Sequence, residues 1–79
     1  MKIRLKLARV GMNMEEATIV AWLKQPGDSF EAGEGLYEME TEKVTQEVEA
    51  TAPGRMLEIL VPAGEDAAVG DAVCVVEVD

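Results

Sequence analysis

The chain repeats itself, and the repeat limits the folds open to it. At a spacing of 37 positions, Val20, Trp22, Gly27, Asp28, Gly33, Glu34, Leu36 and Met39 meet Leu57, Ile59, Gly64, Glu65, Gly70, Asp71, Val73 and Val76. Each copy reads as strand, glycine turn, short strand, glycine turn, strand, and two pairs of glycines fall into register. Neither copy can bury its own apolar face. The two therefore stack as small antiparallel sheets. The expected architecture is all-β, a flattened barrel or sandwich of two small sheets related by an internal pseudo-two-fold.

The strands follow from period-two alternation along the chain. Met1 to Leu7 sets Ile3, Leu5 and Leu7 opposite Lys2, Arg4 and Lys6, which gives a half-buried first strand with a basic outer face. Ala8 to Glu16 reads as a loop with Gly11 and Asn13 as turn formers; Met12 and Met14 in it suit core or surface. Ala17 to Lys24 is a second strand, Val20 and Trp22 on one face, Ile19, Ala21 and Leu23 on the other. A turn at Gln25–Asp28, a short strand at Ser29–Phe30 and a turn at Glu31–Gly35 follow. After Ala52-Pro-Gly54, Arg55 to Val61 is a strand with Leu57, Ile59 and Val61 inward. Pro62-Ala-Gly64 turns, Glu65 to Val69 is a short extended piece, and Ala72 to Val78 is the last strand. No segment has a helical period.

Between the copies lies a hairpin, Gly35 to Ala50. Tyr37, Met39 and Thr41 share one face opposite Glu38 and Glu40; Val44, Gln46, Val48 and Ala50 share one opposite Thr45, Glu47 and Glu49. With Glu42 and Lys43 as a two-residue turn, Thr41 pairs with Val44, Met39 with Gln46 and Tyr37 with Val48. All three pairs then fall on one face, as a single register requires. Glu-Lys is a poor sequence for such a turn, which favours Asn-Gly, Asp-Gly or glycine. Lys43 at its tip is either a solvated charge on an ordinary hairpin or a residue held out for use. Its neighbours are carboxylates, which favour the charged ammonium, so it is badly placed as a base or Schiff-base nucleophile. It is well placed as the substrate of a modifying enzyme. Its counterpart in the repeat falls just past Asp79, so one end of the body carries the hairpin and the other carries the chain ends.

Composition removes other classes. Seventy-nine residues make a single domain, 1–79, with a thin core. A net charge of −9 argues against nucleic acid and anionic membrane surfaces and suits cationic protein partners. With no histidine and one cysteine, zinc sites and histidine-dependent catalysis lack raw material. The acidic residues have no calcium-loop spacing. Cys74, within Ala72-Val-Cys-Val-Val-Glu-Val78, reads as a buried structural thiol. No apolar run reaches membrane-spanning length.

Glu-Met-Glu-Thr-Glu-Lys-Val-Thr (38–45), followed by Glu-Ala-Thr-Ala-Pro-Gly-Arg-Met (49–56), resembles the lipoyl domain of 2-oxo acid dehydrogenase acyltransferases. The segment Gly11 to Leu23 is similar to the start of that domain, most closely in pyruvate- and acetoin-type complexes. With Pro26-Gly-Asp28 and Gly33, the likeness covers essentially the whole chain. It implies a non-catalytic carrier, part of a dihydrolipoyl acyltransferase chain, with lipoic acid joined to Lys43 and with Glu42 and Val44 as flanking recognition residues. The implied partners are a lipoate-protein ligase or lipoyl transferase, a thiamin-dependent decarboxylase, the acyltransferase and dihydrolipoyl dehydrogenase. The implied place is bacterial cytoplasm or mitochondrial matrix, and the isolated domain is expected to be monomeric. By the same analogy the 8–16 loop lies near the hairpin and aids partner recognition; the alternative is a packed connector. Glu42 stands where Asp is usual, Val44 where Ala is, Ala17 for a common Gly and Ala8 for a common Pro. A biotinyl carrier shares the fold but flanks its lysine as Met-Lys-Met, unlike Glu42 and Val44. An unmodified docking domain is a further alternative, and a hydrolase or metal enzyme a remote one, for want of histidine.

Overall fold

The computed structural model describes residues 1–7, 15–41 and 44–78. All regular structure among them is strand: β1 (Lys2–Lys6), β2 (Glu16–Trp22), β3 (Ser29–Phe30), β4 (Gly35–Glu40), β5 (Thr45–Glu49), β6 (Gly54–Ile59), β7 (Asp66–Ala68) and β8 (Ala72–Val78). They form two four-stranded antiparallel sheets, ordered β1-β8-β6-β3 and β5-β4-β2-β7. The expected sandwich is the one observed. Gly11, Met12, Asn13 and Met14, with the Glu42-Lys43 turn, lie outside the described residues.

The two sheets are copies of each other, pair by pair. Ile19 faces Met39 in one sheet and, 37 positions on, Met56 faces Val76 in the other. Trp22 with Tyr37 matches Ile59 with Cys74, and Ala17 with Ala67 matches Gly54 with Phe30. β1 takes the place beside β8 that β5 takes beside β4. Gly27, Gly33, Gly64 and Gly70 all have positive φ, between 90° and 98°. Each therefore sits where a side chain would be strained. Three of these turns are closed by the acid that follows the glycine. Asp28 accepts the Gln25 N–H (2.9 Å), Glu34 the Glu31 N–H (2.6 Å) and Asp71 the Ala68 N–H (3.0 Å). At the fourth, Pro62 has no N–H to offer Glu65.

Register shifts also come in matched pairs. Val20 in β2 and Leu57 in β6 are each the extra residue against the partner strand, and so are Leu36 in β4 and Val73 in β8. These bulges overturn two facial assignments made from alternation. In β2, Ile19 is fully buried and Trp22 packs on the core, while Val20 between them is 44% exposed. In β6, Met56 is fully buried and takes the inward place expected of Leu57. An inserted residue flips the phase of everything after it, so strict parity fails on the far side. Boundaries differ modestly: β2 begins at Glu16 and ends at Trp22, and β6 runs from Gly54 to Ile59.

The core is one cluster between the sheets. Ile19, Tyr37, Met39, Met56, Val73, Cys74 and Val76 are its most deeply buried members. Full burial of such side chains contributes roughly 1.5–3 kcal/mol each. Trp22 and Tyr37 meet with ring centroids 4.8 Å apart, and the Trp22 indole N–H donates to the Val61 carbonyl at 2.8 Å. Cys74 is fully enclosed, and burial pushes its thiol up to about 11, so it is the inert structural residue expected.

Candidate functional site: a hairpin end beneath an acidic face

β4 and β5 rise from this core as one antiparallel ladder. Tyr37 faces Val48, Glu38 faces Glu47, Met39 faces Gln46 and Glu40 faces Thr45. The pairs expected from alternation are the ones observed. β4 is an interior strand, flanked by β5 and β2, and Met39 and Tyr37 seat it in the core. β5 is the edge strand. The support is therefore stiff on one arm and open on the other.

The ladder is closed by Thr41 and Val44. The Thr41 N–H donates to the Val44 carbonyl at 2.8 Å, and the Thr41 hydroxyl lies 3.3 Å from both the Val44 carbonyl oxygen and the Val44 nitrogen. Glu42 and Lys43 are the two residues between them in the chain. Val44 is 52% exposed, so the closure lies at the surface. The body measures 34 × 20 × 19 Å. In the repeat, Thr41 corresponds to Val78, where the chain ends meet: the Val78 N–H donates to the Met1 carbonyl at 2.9 Å, and the Met1 ammonium donates to the Val78 carbonyl at 2.8 Å.

The outer face of this sheet is acidic. Glu38 and Glu47 stand directly opposite each other, and one cross-strand row reads Asp66, Thr18, Glu40, Thr45. Like charges directly opposed cost stability. Thr18 donates its hydroxyl to Asp66 at 2.6 Å. Glu16, Thr18, Glu40, Thr41 and Asp66 border an open hollow of about 250 Å³ beside the hairpin end. That hollow gave no signal in the sequence, because it joins β2, β4 and β7. Among the described residues no three Asp, Glu or Cys side chains are arranged to hold a metal ion. The described residues thus provide a carboxylate-lined platform whose ladder closes at Thr41 and Val44.

Comparison with known proteins decides the family. The family described as "Biotin-requiring enzyme", of biotin and lipoyl attachment, matches residues 3–79. This chain belongs to it. Within the family the likeness is to the lipoyl type. The chain is 42% identical over 67 residues to the dihydrolipoyllysine-residue succinyltransferase component of the Bacillus subtilis 2-oxoglutarate dehydrogenase complex, covering 85% of this chain and 16% of that one. It is 40% identical over 76 residues to the acetyltransferase component of the Zymomonas mobilis pyruvate dehydrogenase complex, covering 95% and 17%. The solution structure of the lipoyl domain of the Azotobacter vinelandii 2-oxoglutarate dehydrogenase complex superposes with a TM-score of 0.78 at 28% identity, over 95% of both chains. The chain spans about a sixth of the length of those acyltransferase relatives. It is a lipoyl-type carrier domain, a non-catalytic module of the kind found in acyltransferase chains. Such domains carry lipoic acid covalently on a lysine.

Proposed function

We propose that this domain is a swinging-arm carrier, lipoylated on Lys43, that shuttles acyl groups and reducing equivalents between the active sites of a 2-oxo acid dehydrogenase complex. The observation that supports it most is the Thr41–Val44 closure, with its 2.8 Å backbone bond, at the end of a ladder anchored by fully buried Met39. Lys43 belongs to the two-residue connection across that closure and is the attachment residue; Glu42 and Val44 flank it for recognition. Attachment forms an amide between the Lys43 amine and the carboxyl of lipoic acid activated with ATP; the lysine loses a proton and AMP leaves. The bound group supplies the acyl-carrying and redox chemistry. The protein supplies position. Its ladder holds the arm's root still, and tethering converts encounters between active sites into intramolecular ones of high effective concentration.

The partners on this reading are a lipoate-protein ligase or lipoyl transferase, then a thiamin-dependent decarboxylase, an acyltransferase and dihydrolipoyl dehydrogenase. The site of action is bacterial cytoplasm or mitochondrial matrix. The acidic face of β4 and β5 suits cationic partner surfaces. Intact mass of the protein from cells supplied with lipoate, beside a Lys43→Ala control, tests the reading. One lipoyl increment, absent from the control, is expected. A biotin increment points to a biotinyl carrier, and no increment to an unmodified docking domain; either result overturns the assignment.

A further inference from the structure

The geometry points to Thr41 as a positioning residue for that modification: its hydroxyl, in place of turn propensity, holds the lysine-bearing bend closed. The inference rests on the assignment of Lys43 as the attachment residue. Two-residue hairpin turns favour positive φ at one or both central positions, with glycine, asparagine or aspartate there. Glu42-Lys43 contains none of these, so the pair by itself favours closure little. In a tight turn the fourth residue's N–H ordinarily returns to the first residue's carbonyl. Here the Thr41 hydroxyl receives the Val44 N–H at 3.3 Å. The same oxygen is 3.3 Å from the Val44 carbonyl. A hydroxyl has one proton to give and two lone pairs, so it serves both at once. With the 2.8 Å backbone bond, Thr41 makes three links to Val44.

The repeat supplies an internal comparison. The position equivalent to Thr41 is Val78, where two backbone bonds to Met1, 2.8 and 2.9 Å long, join chain ends with no bend to hold. A hydroxyl stands at the pole that carries a bend, and an isosteric methyl stands at the pole that does not. Val78 packs against the core and carries no hydroxyl, so the two side-chain links at Thr41 have no counterpart at that pole. Thr41 is half-buried and Val44 exposed, so water competes for these bonds. Their effect is on the fraction of domains whose bend is closed, and a ligand that needs the closed form binds more weakly in proportion to that fraction.

The test is the kinetics of attachment by a purified lipoate-protein ligase with lipoic acid and ATP, followed by intact mass over a range of domain concentrations. Thr41→Val is expected to raise KM for the domain roughly two- to tenfold, the range of one net hydrogen bond, with kcat unchanged. Thr41→Ser, which keeps the hydroxyl, stays within about twofold of wild type on the same scale. Asp28→Ala removes a bond in the distant Gln25–Asp28 turn and leaves both constants unchanged, which separates positioning from general destabilisation. Val44 amide hydrogen exchange gives a readout that needs no cofactor: it accelerates by a similar factor in Thr41→Val and not in Asp28→Ala. Wild-type kinetics and wild-type Val44 exchange in Thr41→Val overturn the inference, as does a serine variant as impaired as the valine. If the wild-type domain accepts no lipoyl group, the Lys43 assignment fails, and Val44 exchange still decides the role of Thr41.

Discussion

Gly54→Ala tests the close packing between β6 and β8. A Cβ built on Gly54 would run into the backbone carbonyl oxygen of Glu77 and lie 3.0 Å from Phe30 Cζ and from Val78 Cγ1. The carbonyl belongs to β8, which is held on both sides by β1 and β6, and it has nowhere to move. The cost should therefore sit near the top of the overpacking range, about 3 kcal/mol. Reduced freedom of the unfolded chain offsets roughly 0.4–1 kcal/mol of this, and the net loss is about 2 kcal/mol. For a domain this small, that lowers Tm by roughly 8–16 °C. Gly35→Ala is the control. Its Cβ would meet only side-chain atoms, Glu47 Cδ at 2.6 Å and Leu23 Cδ1 at 2.8 Å. Both side chains are exposed and can swing aside, so the change in stability stays within about 0.5 kcal/mol. The repeat shows why one copy has glycine: the equivalent residue is Ala17, which faces Ala67, while Gly54 faces Phe30. Thermal unfolding followed by circular dichroism reads both variants. An unchanged or raised Tm for Gly54→Ala, or equal shifts for the two, refutes the argument from an immovable carbonyl.

Other expectations follow from single contacts. Glu34 is held below its ordinary 4.5 by the Glu31 N–H first and the Lys24 side chain second. A lowered folded value means its contribution is present above pH 4.5 and disappears as pH falls through the folded value, so urea midpoints of wild type and Glu34→Gln should converge on acidification. Cys74, with its thiol pushed up to about 11, should resist a thiol reagent at pH 8 in the native protein and react once unfolded in urea. Trp22→Phe removes the 2.8 Å bond to the Val61 carbonyl and part of the packing on Tyr37, and chemical denaturation should show a loss of about 1–2 kcal/mol. A smaller loss would mean that water satisfies the carbonyl.

The hairpin pairing was legible because its signals are local. The β4–β5 register follows from alternation together with a two-residue connection at Glu42-Lys43, which puts Tyr37, Met39 and Val48 on one face, and the observed pairs agree. The repeat was legible too, because its turns require glycine at positive φ and glycine leaves a mark in any sequence. The acidic hollow and the hydroxyl bridge were not. The hollow joins residues from three strands, and the bridge depends on where one rotor points.

By itself the sequence determined the class, the two-sheet repeat, the hairpin pairing and the residue to examine, since each rests on short-range periodicity or on residue types with narrow conformational use. Tertiary structure alone decided which of Val20 and Trp22, or of Met56 and Leu57, turns inward. A bulge has no obligatory residue: it forms where bending a strand brings more apolar surface onto the opposite sheet, and that gain exists only once both sheets are present.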